Sequence, residues 1–266
     1  MLLCPVCNAH LEHIDNSYRC PSSHSFDISK EGYVNLLTSS KAGDKTGDNK
    51  DMAQNRRKVL NAGYYELLAY GIAEKIKAHY TAGNLLDICC GEGYYSAFVS
   101  EKLPQMNVYG FDLSKEMVRL AAKRKSNAQF FVANMKKIPV ADESFDVVMH
   151  LFAPFNSAEF ARILKKDGML ISVVSGERHL FGLKEVLYEK PYLNDEAPPE
   201  APDFVLKEKI KLQGKINIGS TEDILALLKM TPYYYHTPTS GLERIENCKT
   251  LATETEFVLF VYQKKQ

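Results

Sequence analysis

Several features are missing from this sequence of 266 residues, and each absence excludes a class of protein. No run of 18 apolar residues is present, so we expect no membrane-spanning helix and no membrane partner. The first residues show no basic segment followed by an apolar stretch and a cleavage site, which favours a cytoplasmic protein with reduced thiols. Net charge is also absent, because 33 Lys and Arg residues balance 33 Asp and Glu residues. A nucleic-acid partner must therefore be bound by local basic patches and not by an overall positive field.

Cysteine is scarce, with six residues in the chain, yet three of them lie within the first 20 positions. Together with a histidine they form the spacing C-x2-C-x12-C-x3-H, which is typical of a tetrahedral zinc site. Four protein ligands leave no open coordination position, so the zinc is expected to be structural. His10 and His13 compete for the fourth position, although the short turn after the third cysteine favours a later histidine. The predicted metal ligands are Cys4, Cys7, Cys20 and His24.

The remainder of the chain has the pattern of an α/β protein. From residue 84 onward, segments with strand character alternate with segments of helical periodicity. That alternation predicts a doubly wound, mostly parallel sheet with helices on both faces. The polar stretch 38–51, rich in Gly, Ser and Asp, is interpreted as a linker. The sequence therefore predicts a small zinc-ribbon-like module over residues 1–37, a linker over 38–51, and a Rossmann-like domain over 52–266.

The segment LLDICCGEGYYS indicates a nucleotide-binding turn between a strand and a helix. Its strand ends at Asp87, and Gly91 and Gly93 allow the backbone to turn sharply beside a ligand. A second strand ends at Asp112, where a carboxylate can accept hydrogen bonds from both hydroxyls of a ribose. NAD is disfavoured, because a serine replaces the third glycine of the dinucleotide motif and an acidic residue in the loop would repel a pyrophosphate.

The pattern D-x-x-x-G-x-G followed by an acidic strand end resembles the S-adenosylmethionine-dependent methyltransferases, whose donor is a cationic sulfonium. Asn134 and Met135 fall where that family contacts adenine, and the segment FDVVMHLF resembles the strand that follows in those enzymes. Cys89 and Cys90 are interpreted as small residues at a strand end, because neither has the neighbours of a reactive thiolate.

A narrower resemblance rests on segments spread over nearly the whole chain. CPVC, SYRCPSSHSFDISKEGYVNLL, GDNKDMAQNRRKVLNAGYYELL, DICCGEGYYS and LLKMTPYYY are together similar to the 23S rRNA (guanine-N1)-methyltransferase family. The zinc pattern followed by KEGYVNLL is specific to that family, whereas very many methyltransferases share the glycine motif. This chain has D-I-C-C-G where many members have a glycine before the second cysteine, so Cys89 replaces a glycine in the turn.

The resemblance implies methyl transfer from S-adenosylmethionine to N1 of a guanine in a 23S rRNA hairpin loop near the peptide exit tunnel. It further implies a bacterial, cytoplasmic homodimer, and some members influence sensitivity to macrolide antibiotics. A separate hypothesis is that the zinc module recognises the RNA hairpin together with one of the basic clusters of the chain. The zinc ligands of the family carry over onto the four residues named above. Cofactor contacts carry over onto Tyr65, Gly93, Tyr94 and His179.

Other roles stay open at the level of sequence. A general base that removes the N1 proton of guanine is not identified, and the candidates are His179, His150 and Glu177. Residues that could stack on a base are Phe152, Phe155 and the run 233–235, each of which could equally pack in the core. Basic clusters that could hold phosphates are 56–58, 123–125 and the lysines of 207–215.

Two rival functions are weighed against rRNA methylation. The first is a methyltransferase that acts on a small molecule, with a purely structural zinc module, and the zero net charge is compatible with it. The second is an RNA-binding protein whose methyltransferase fold has lost catalysis. The intact set of Asp87, Gly91, Gly93 and Asp112 argues against that second alternative.

Overall fold

A computed structural model of the protein describes residues 1–38 and 50–265. The N-terminal segment folds into a three-stranded antiparallel sheet in which the middle strand pairs with both neighbours. Each strand has three residues, so this sheet buries little apolar surface by itself. The strands are β1 (Glu12–Ile14), β2 (Ser17–Arg19) and β3 (Ser25–Asp27).

The central sheet accounts for the remaining strands of the described residues. These are β4 (Val34–Asn35), β5 (Gly83–Ile88), β6 (Met106–Asp112), β7 (Gln129–Val132), β8 (Phe145–Leu151), β9 (Leu164–Ser175), β10 (Phe204–Ile218) and β11 (Leu251–Lys264). Their spatial order is β10-β11-β9-β8-β5-β6-β7-β4. The pairs from β9 to β4 are parallel, and β11 joins antiparallel to both β9 and β10. The predicted doubly wound, mostly parallel sheet is confirmed.

The burial of the strands follows from their position. β5 and β8 lie in the middle, covered on both faces, so their apolar residues are buried without alternation. β10 lies at the edge, where exposed residues alternate with half-buried ones and lysines occupy exposed positions. Strand order reverses at β5, which lies between β6 and β8, and this reversal opens a crevice at the carboxyl ends of the strands.

Helices pack on both faces of the sheet, and several begin at a side-chain cap. Ser114, Asn156 and Ser220 each accept a hydrogen bond from the backbone N–H three residues later. The helices are α1 (Lys50–Asn61), α2 (Glu66–Lys77), α3 (Tyr94–Lys102), α4 (Lys115–Ala122), α5 (Ser157–Ile163), α6 (Phe181–Leu187), α7 (Thr221–Lys229), α8 (Thr239–Glu246) and a 3-10 turn over Pro232–His236. Across the described ranges, no helix combines the length and apolarity needed to cross a bilayer.

The N-terminal module is joined to the central sheet. β4 lies within the predicted 1–37 module and pairs in parallel with β7. The backbone N–H of Leu3 donates to the carbonyl oxygen of Pro139 at 2.8 Å. Buried residues on both sides, Leu2, Leu11, Ile138 and Val140 among them, share one apolar cluster. Most of the predicted linker, residues 39–49, lies outside the described residues. The three-part division of the chain stays a prediction.

Candidate functional site

The four predicted metal ligands converge at one point. Sγ of Cys4, Cys7 and Cys20 and a ring nitrogen of His24 all lie within 4.8 Å of one another. His24 Nδ1 is 3.6 Å from Cys4 Sγ and 3.3 Å from Cys20 Sγ, and the Sγ atoms of Cys7 and Cys20 are 3.6 Å apart. Ligands bound about 2.0–2.3 Å from a tetrahedral zinc ion lie roughly 3.5–3.8 Å from one another. The donor set and its spacing therefore fit Zn²⁺.

Two matching turns build this cluster. In the first turn the N–H of Asn8 donates to the carbonyl of Cys4, and in the second the N–H of Ser23 donates to the carbonyl of Cys20. Asn8 and Ser23 both have positive φ, 57° and 64°, which tightens each turn behind its cysteine. A backbone N–H from Ala9 lowers the pKa of Cys7 to about 6, which favours the thiolate that binds metal.

The competing histidines do not join the cluster. The set of ligand atoms found in the described residues contains His24, and neither His10 nor His13 belongs to it. The ring of His13 lies instead 5.2 Å from that of Tyr18. Of the three candidate histidines, His24 is therefore the one placed to complete a set of four donors.

A cavity of about 720 Å³ occupies the crevice at the carboxyl edge of the central sheet. Its volume falls within the range of about 300–1,000 Å³ that small-molecule sites usually have. Eight of the nine residues predicted to contact the cofactor line it: Tyr65, Asp87, Gly91, Tyr94, Asp112, Asn134, Met135 and His179. Gly93, the ninth, caps α3 directly before Tyr94.

The turn after β5 depends on left-handed backbone conformations. Gly91 and Gly93 have φ of 55° and 77°, and Cys89 has φ of 55°. Cys89 thus adopts the conformation that glycine takes without steric cost. Burial raises the pKa of Cys89 to about 12 and also raises that of Cys90, so neither forms a thiolate readily. Both cysteines behave as the small strand-end residues that the sequence indicated.

Asp112 organises the same turn. One carboxylate oxygen accepts a hydrogen bond from the N–H of Gly91 at 3.0 Å, and the other accepts from the N–H of Ser114 at 2.8 Å. Each carboxylate oxygen has two lone pairs and can accept more than one hydrogen bond. The strand-end carboxylate is therefore fixed in orientation by the loop that it faces.

Two buried acids in this region differ in their partners. Asp87 accepts a hydrogen bond from Ser96 Oγ at 2.5 Å, and burial raises its pKa to about 7. Glu92 is paired with Arg124 through both carboxylate oxygens. The charge of Glu92 is thus neutralised within the protein, whereas the charge of Asp87 would be stabilised by a cation in the cavity.

Tyr65 and His179 form a hydrogen-bonded pair on one wall of the cavity. His179 Nδ1 accepts from the backbone N–H of Glu256 at 3.2 Å. In a neutral ring the proton is then on Nε2, which donates to the hydroxyl oxygen of Tyr65 at 2.8 Å. Burial and the nearby charge of Lys184 lower the pKa of His179 to about 3, so the ring stays neutral. The hydroxyl proton of Tyr65 is left to donate to a ligand.

The other two candidate general bases, His150 and Glu177, are not placed to accept a proton in the cavity. Nε2 of His150 lies 3.0 Å from the carbonyl oxygen of Pro154 and so must donate, and Nδ1 accepts from Ser172 Oγ at 3.0 Å. The His150 ring is therefore fully hydrogen-bonded beneath the loop that follows β8. Glu177 is exposed, and it is not among the described residues that line the cavity.

The aromatic residues that could stack on a base lie in different environments. Phe155 packs against the rings of His150, Phe160 and Phe204, so it belongs to the apolar core. Phe152 lines the cavity and is 47% exposed. Tyr233 lines the cavity as well, whereas Tyr234 and Tyr235 are exposed on the surface.

Each of the basic clusters has at least one residue that is paired with an acid. Lys58 pairs with Glu222 and Asp223, and Lys209 and Lys211 both pair with Glu196. Arg124, the middle residue of its cluster, is the partner of Glu92 described above. These clusters therefore present less free positive charge than their sequence suggests. Among the residues of these clusters, Arg56 and not its neighbours lines the cavity.

Two family models match separate segments of the chain, and a relative matches nearly its whole length. A zinc-ribbon family model described as "RlmA, N-terminal" matches residues 2–41, and one described as "Methyltransferase domain" matches residues 85–168. YxjB of Bacillus subtilis (strain 168), whose name places it among the 23S rRNA (guanine-N1)-methyltransferases, is 31% identical over 263 residues. That match covers 94% of this chain and 92% of the relative. The chain belongs to the 23S rRNA (guanine-N1)-methyltransferase family.

A further relative supports the assignment. The 23S rRNA (guanine(748)-N(1))-methyltransferase of Streptomyces fradiae is 33% identical over 190 residues, which covers 70% of this chain and 67% of the relative. A shorter match, to a demethylmenaquinone methyltransferase of Chlorobaculum parvum, is 34% identical over 112 residues and covers 40% of this chain and 46% of the relative. The predictions of an S-adenosylmethionine-dependent methyltransferase and of a zinc ribbon are therefore confirmed.

The structure adds residues that sequence reasoning did not single out for this family member. Lys136 lines the cavity, next to the predicted pair 134–135. Lys184 is fully buried, and its Nζ donates to Asn194 Oδ1 at 2.6 Å and to the carbonyl of Tyr192 at 3.0 Å. The hydroxyl of Tyr233 donates to the same Asn194 oxygen at 2.7 Å. Lys184 therefore fixes the wall that carries Tyr233, and only three-dimensional contacts reveal it because these residues are distant in sequence.

Proposed function

We propose that this enzyme transfers the methyl group of S-adenosylmethionine to N1 of a guanine in 23S rRNA. The observation that carries the proposal is the whole-chain match to this family, which includes both the zinc ribbon and the lined cavity. Following the family resemblance, the target guanine lies in a hairpin loop near the peptide exit tunnel, and its methylation affects macrolide sensitivity. The same resemblance supports a homodimer in the cytoplasm, and sedimentation velocity tests the dimer.

The cofactor would be held by groups that surround the cavity. Asp112 would accept the ribose hydroxyls, and Asn134 and Met135 would lie against the adenine. Asp87 and the hydroxyl of Tyr65 would face the methionyl part, whose positive charge suits a buried carboxylate. Bound S-adenosylmethionine supplies a methyl group that is already activated by its sulfonium. The protein therefore contributes mainly by positioning the acceptor in line with that group.

His179 acts in this proposal as a positioning residue and not as a general base. Its Nδ1 already accepts a hydrogen bond, and its Nε2 proton is directed to Tyr65. With a pKa near 3, the ring gains no proton at neutral pH. His179 thus fixes the orientation of the Tyr65 hydroxyl. His179→Ala and Tyr65→Phe should therefore both weaken cofactor binding, measured by calorimetry.

The rRNA would contact the zinc ribbon and the neighbouring loop 134–138. Lys136 of this loop lines the cavity. Pro139, directly after the loop, accepts the backbone hydrogen bond from Leu3 of the ribbon. Lys136 and Lys137 are both exposed, and neither forms an ion pair with an acid of the described residues. These two lysines would therefore hold phosphates of the rRNA between the ribbon and the mouth of the cavity.

Chelation tests this contact. Removal of zinc should weaken rRNA binding while cofactor binding, measured by calorimetry, persists. Unchanged rRNA affinity after chelation would rule out a role of the ribbon in binding. The charge reversals Lys136→Glu and Lys137→Glu should weaken binding, and the matched control is Lys207→Glu with Lys215→Glu on the edge strand.

A small-molecule methyltransferase is the second candidate. It is supported by the match to a demethylmenaquinone methyltransferase, which covers only 40% of this chain. Methyl transfer from labelled S-adenosylmethionine to unmethylated 23S rRNA, followed by nucleoside analysis, separates the two candidates. Labelled 1-methylguanosine supports the proposal, whereas incorporation only into a small acceptor supports the alternative.

A further inference from the structure

Resting on the proposed function, we propose that Phe152 is the surface on which the target guanine stacks when it enters the cavity. Phe152 follows β8, at the strand crevice where the cofactor residues converge. A guanine in an RNA loop must leave its neighbours to reach a methyl donor, and an aromatic side chain can replace the stacking that it loses.

The backbone of Phe152 is held in an uncommon conformation. Its φ is 54°, in the left-handed region that bulky residues seldom occupy. The surroundings impose this conformation, because the N–H of Phe152 donates to the carbonyl of Val173 at 3.2 Å and His150 holds the carbonyl of Pro154 at 3.0 Å. Strain that the surroundings enforce in this way is concentrated at functional sites.

The side chain of Phe152 is exposed in spite of its apolar character. It is 47% exposed, whereas the neighbouring Phe155 is packed among three other aromatic rings. The ring of Phe152 is supported by the buried Phe257, with ring centroids 6.1 Å apart. The loop therefore packs one half-buried phenylalanine against the core and presents the other at the cavity, where a planar ligand can cover it.

The chemistry of the acceptor fits this arrangement. Base stacking on an aromatic side chain is worth ~1–3 kcal/mol, which corresponds to about a 5- to 140-fold effect. Phe152 holds no proton and no charge, so its role would be to position N1 and not to deprotonate it. The proposal predicts that an aromatic ring, and not merely apolar volume, is required at this position.

The test compares Phe152→Gly, Phe152→Leu and Phe152→Tyr in methylation of 23S rRNA at saturating S-adenosylmethionine. Phe152→Gly should lower kcat/KM for rRNA by about 5- to 140-fold, and thermal denaturation checks that the variant stays folded. Phe152→Leu should show most of the same loss, and Phe152→Tyr should stay within about threefold of the wild type. The affinity for S-adenosylmethionine, measured by calorimetry, should be unchanged in all three variants.

Three results would overturn the proposal. Full rRNA methylation by Phe152→Leu would show that aromatic stacking is not required. A loss of S-adenosylmethionine affinity equal to the loss of kcat/KM would place Phe152 against the cofactor. A 2-aminopurine at the target position should lose fluorescence on binding the wild type but less so on binding Phe152→Gly, and equal quenching would exclude stacking. A wild type that leaves rRNA unmethylated would instead refute the proposed function itself.

Discussion

Replacement of Gly93 by alanine tests how the cofactor loop is packed against the adjacent helix. A Cβ atom at Gly93 would lie 2.6 Å from Cβ of Ala121 and 3.0 Å from Cζ of Phe130. The positive φ of 77° adds a conformational cost of ~1–2 kcal/mol for a residue with a side chain. Forcing an extra methyl group into a close-packed contact costs about 1–3 kcal/mol more. Gly93→Ala should therefore lower the free energy of unfolding by roughly 2–5 kcal/mol.

Gly32→Ala provides the matched control. Gly32 also has a positive φ, 96°, but a Cβ atom there would meet nothing within 4 Å. The control should cost only the conformational part, about 1–2 kcal/mol. Urea denaturation of both variants gives the two free energies, and their difference isolates the steric contact. Equal destabilisation of the two variants would refute the packing argument, because conformation alone would then explain both.

Three further predictions follow from the same loop and from the zinc ribbon. Cys89→Gly should raise the free energy of unfolding by up to about 1 kcal/mol, since glycine takes the φ of 55° without steric cost; any decrease in urea denaturation would refute this. Because the pKa of Asp87 is about 7, its carboxyl is protonated as the pH falls and ionised as the pH rises. S-adenosylmethionine affinity should therefore increase from pH 6 to pH 8 by calorimetry, and Asp87→Asn should remove that increase; a wild-type profile that stays flat would contradict it. Zinc removal should lower the Tm of the whole protein by roughly 5–15 °C in a single transition, as a loss of several kcal/mol does in a chain of this size; separate melting of the ribbon would show that the shared core does not couple the two parts.

The fold and the ligand positions were accessible from sequence because each has a short-range signal. Alternating strands and helices specify the parallel sheet, and the cysteine spacing specifies the zinc turns. The carboxylate Asp112 could be placed because strand ends of a parallel sheet meet at one edge. These inferences need only the local backbone and the order of the elements.

Pairings between distant residues were not accessible in this way. Glu92 could be assigned to the loop but not to Arg124, which lies 32 positions later in the chain. The same holds for His179, whose tautomer is fixed by a backbone group 77 positions away. The sequence nominated His179 as a base, and the hydrogen bonds of its ring argue for positioning instead. The extent of the ribbon's attachment to the central sheet likewise depends on the pairing of β4 with β7.

Primer extension across 23S rRNA, after incubation with the protein and S-adenosylmethionine, tests the central claim most directly. A methyl group on N1 of guanine blocks base pairing and stops the polymerase. The account predicts a new stop at a guanine in a hairpin loop that depends on the cofactor. Absence of any stop, with cofactor binding confirmed by calorimetry, would contradict rRNA methylation and favour a small-molecule acceptor.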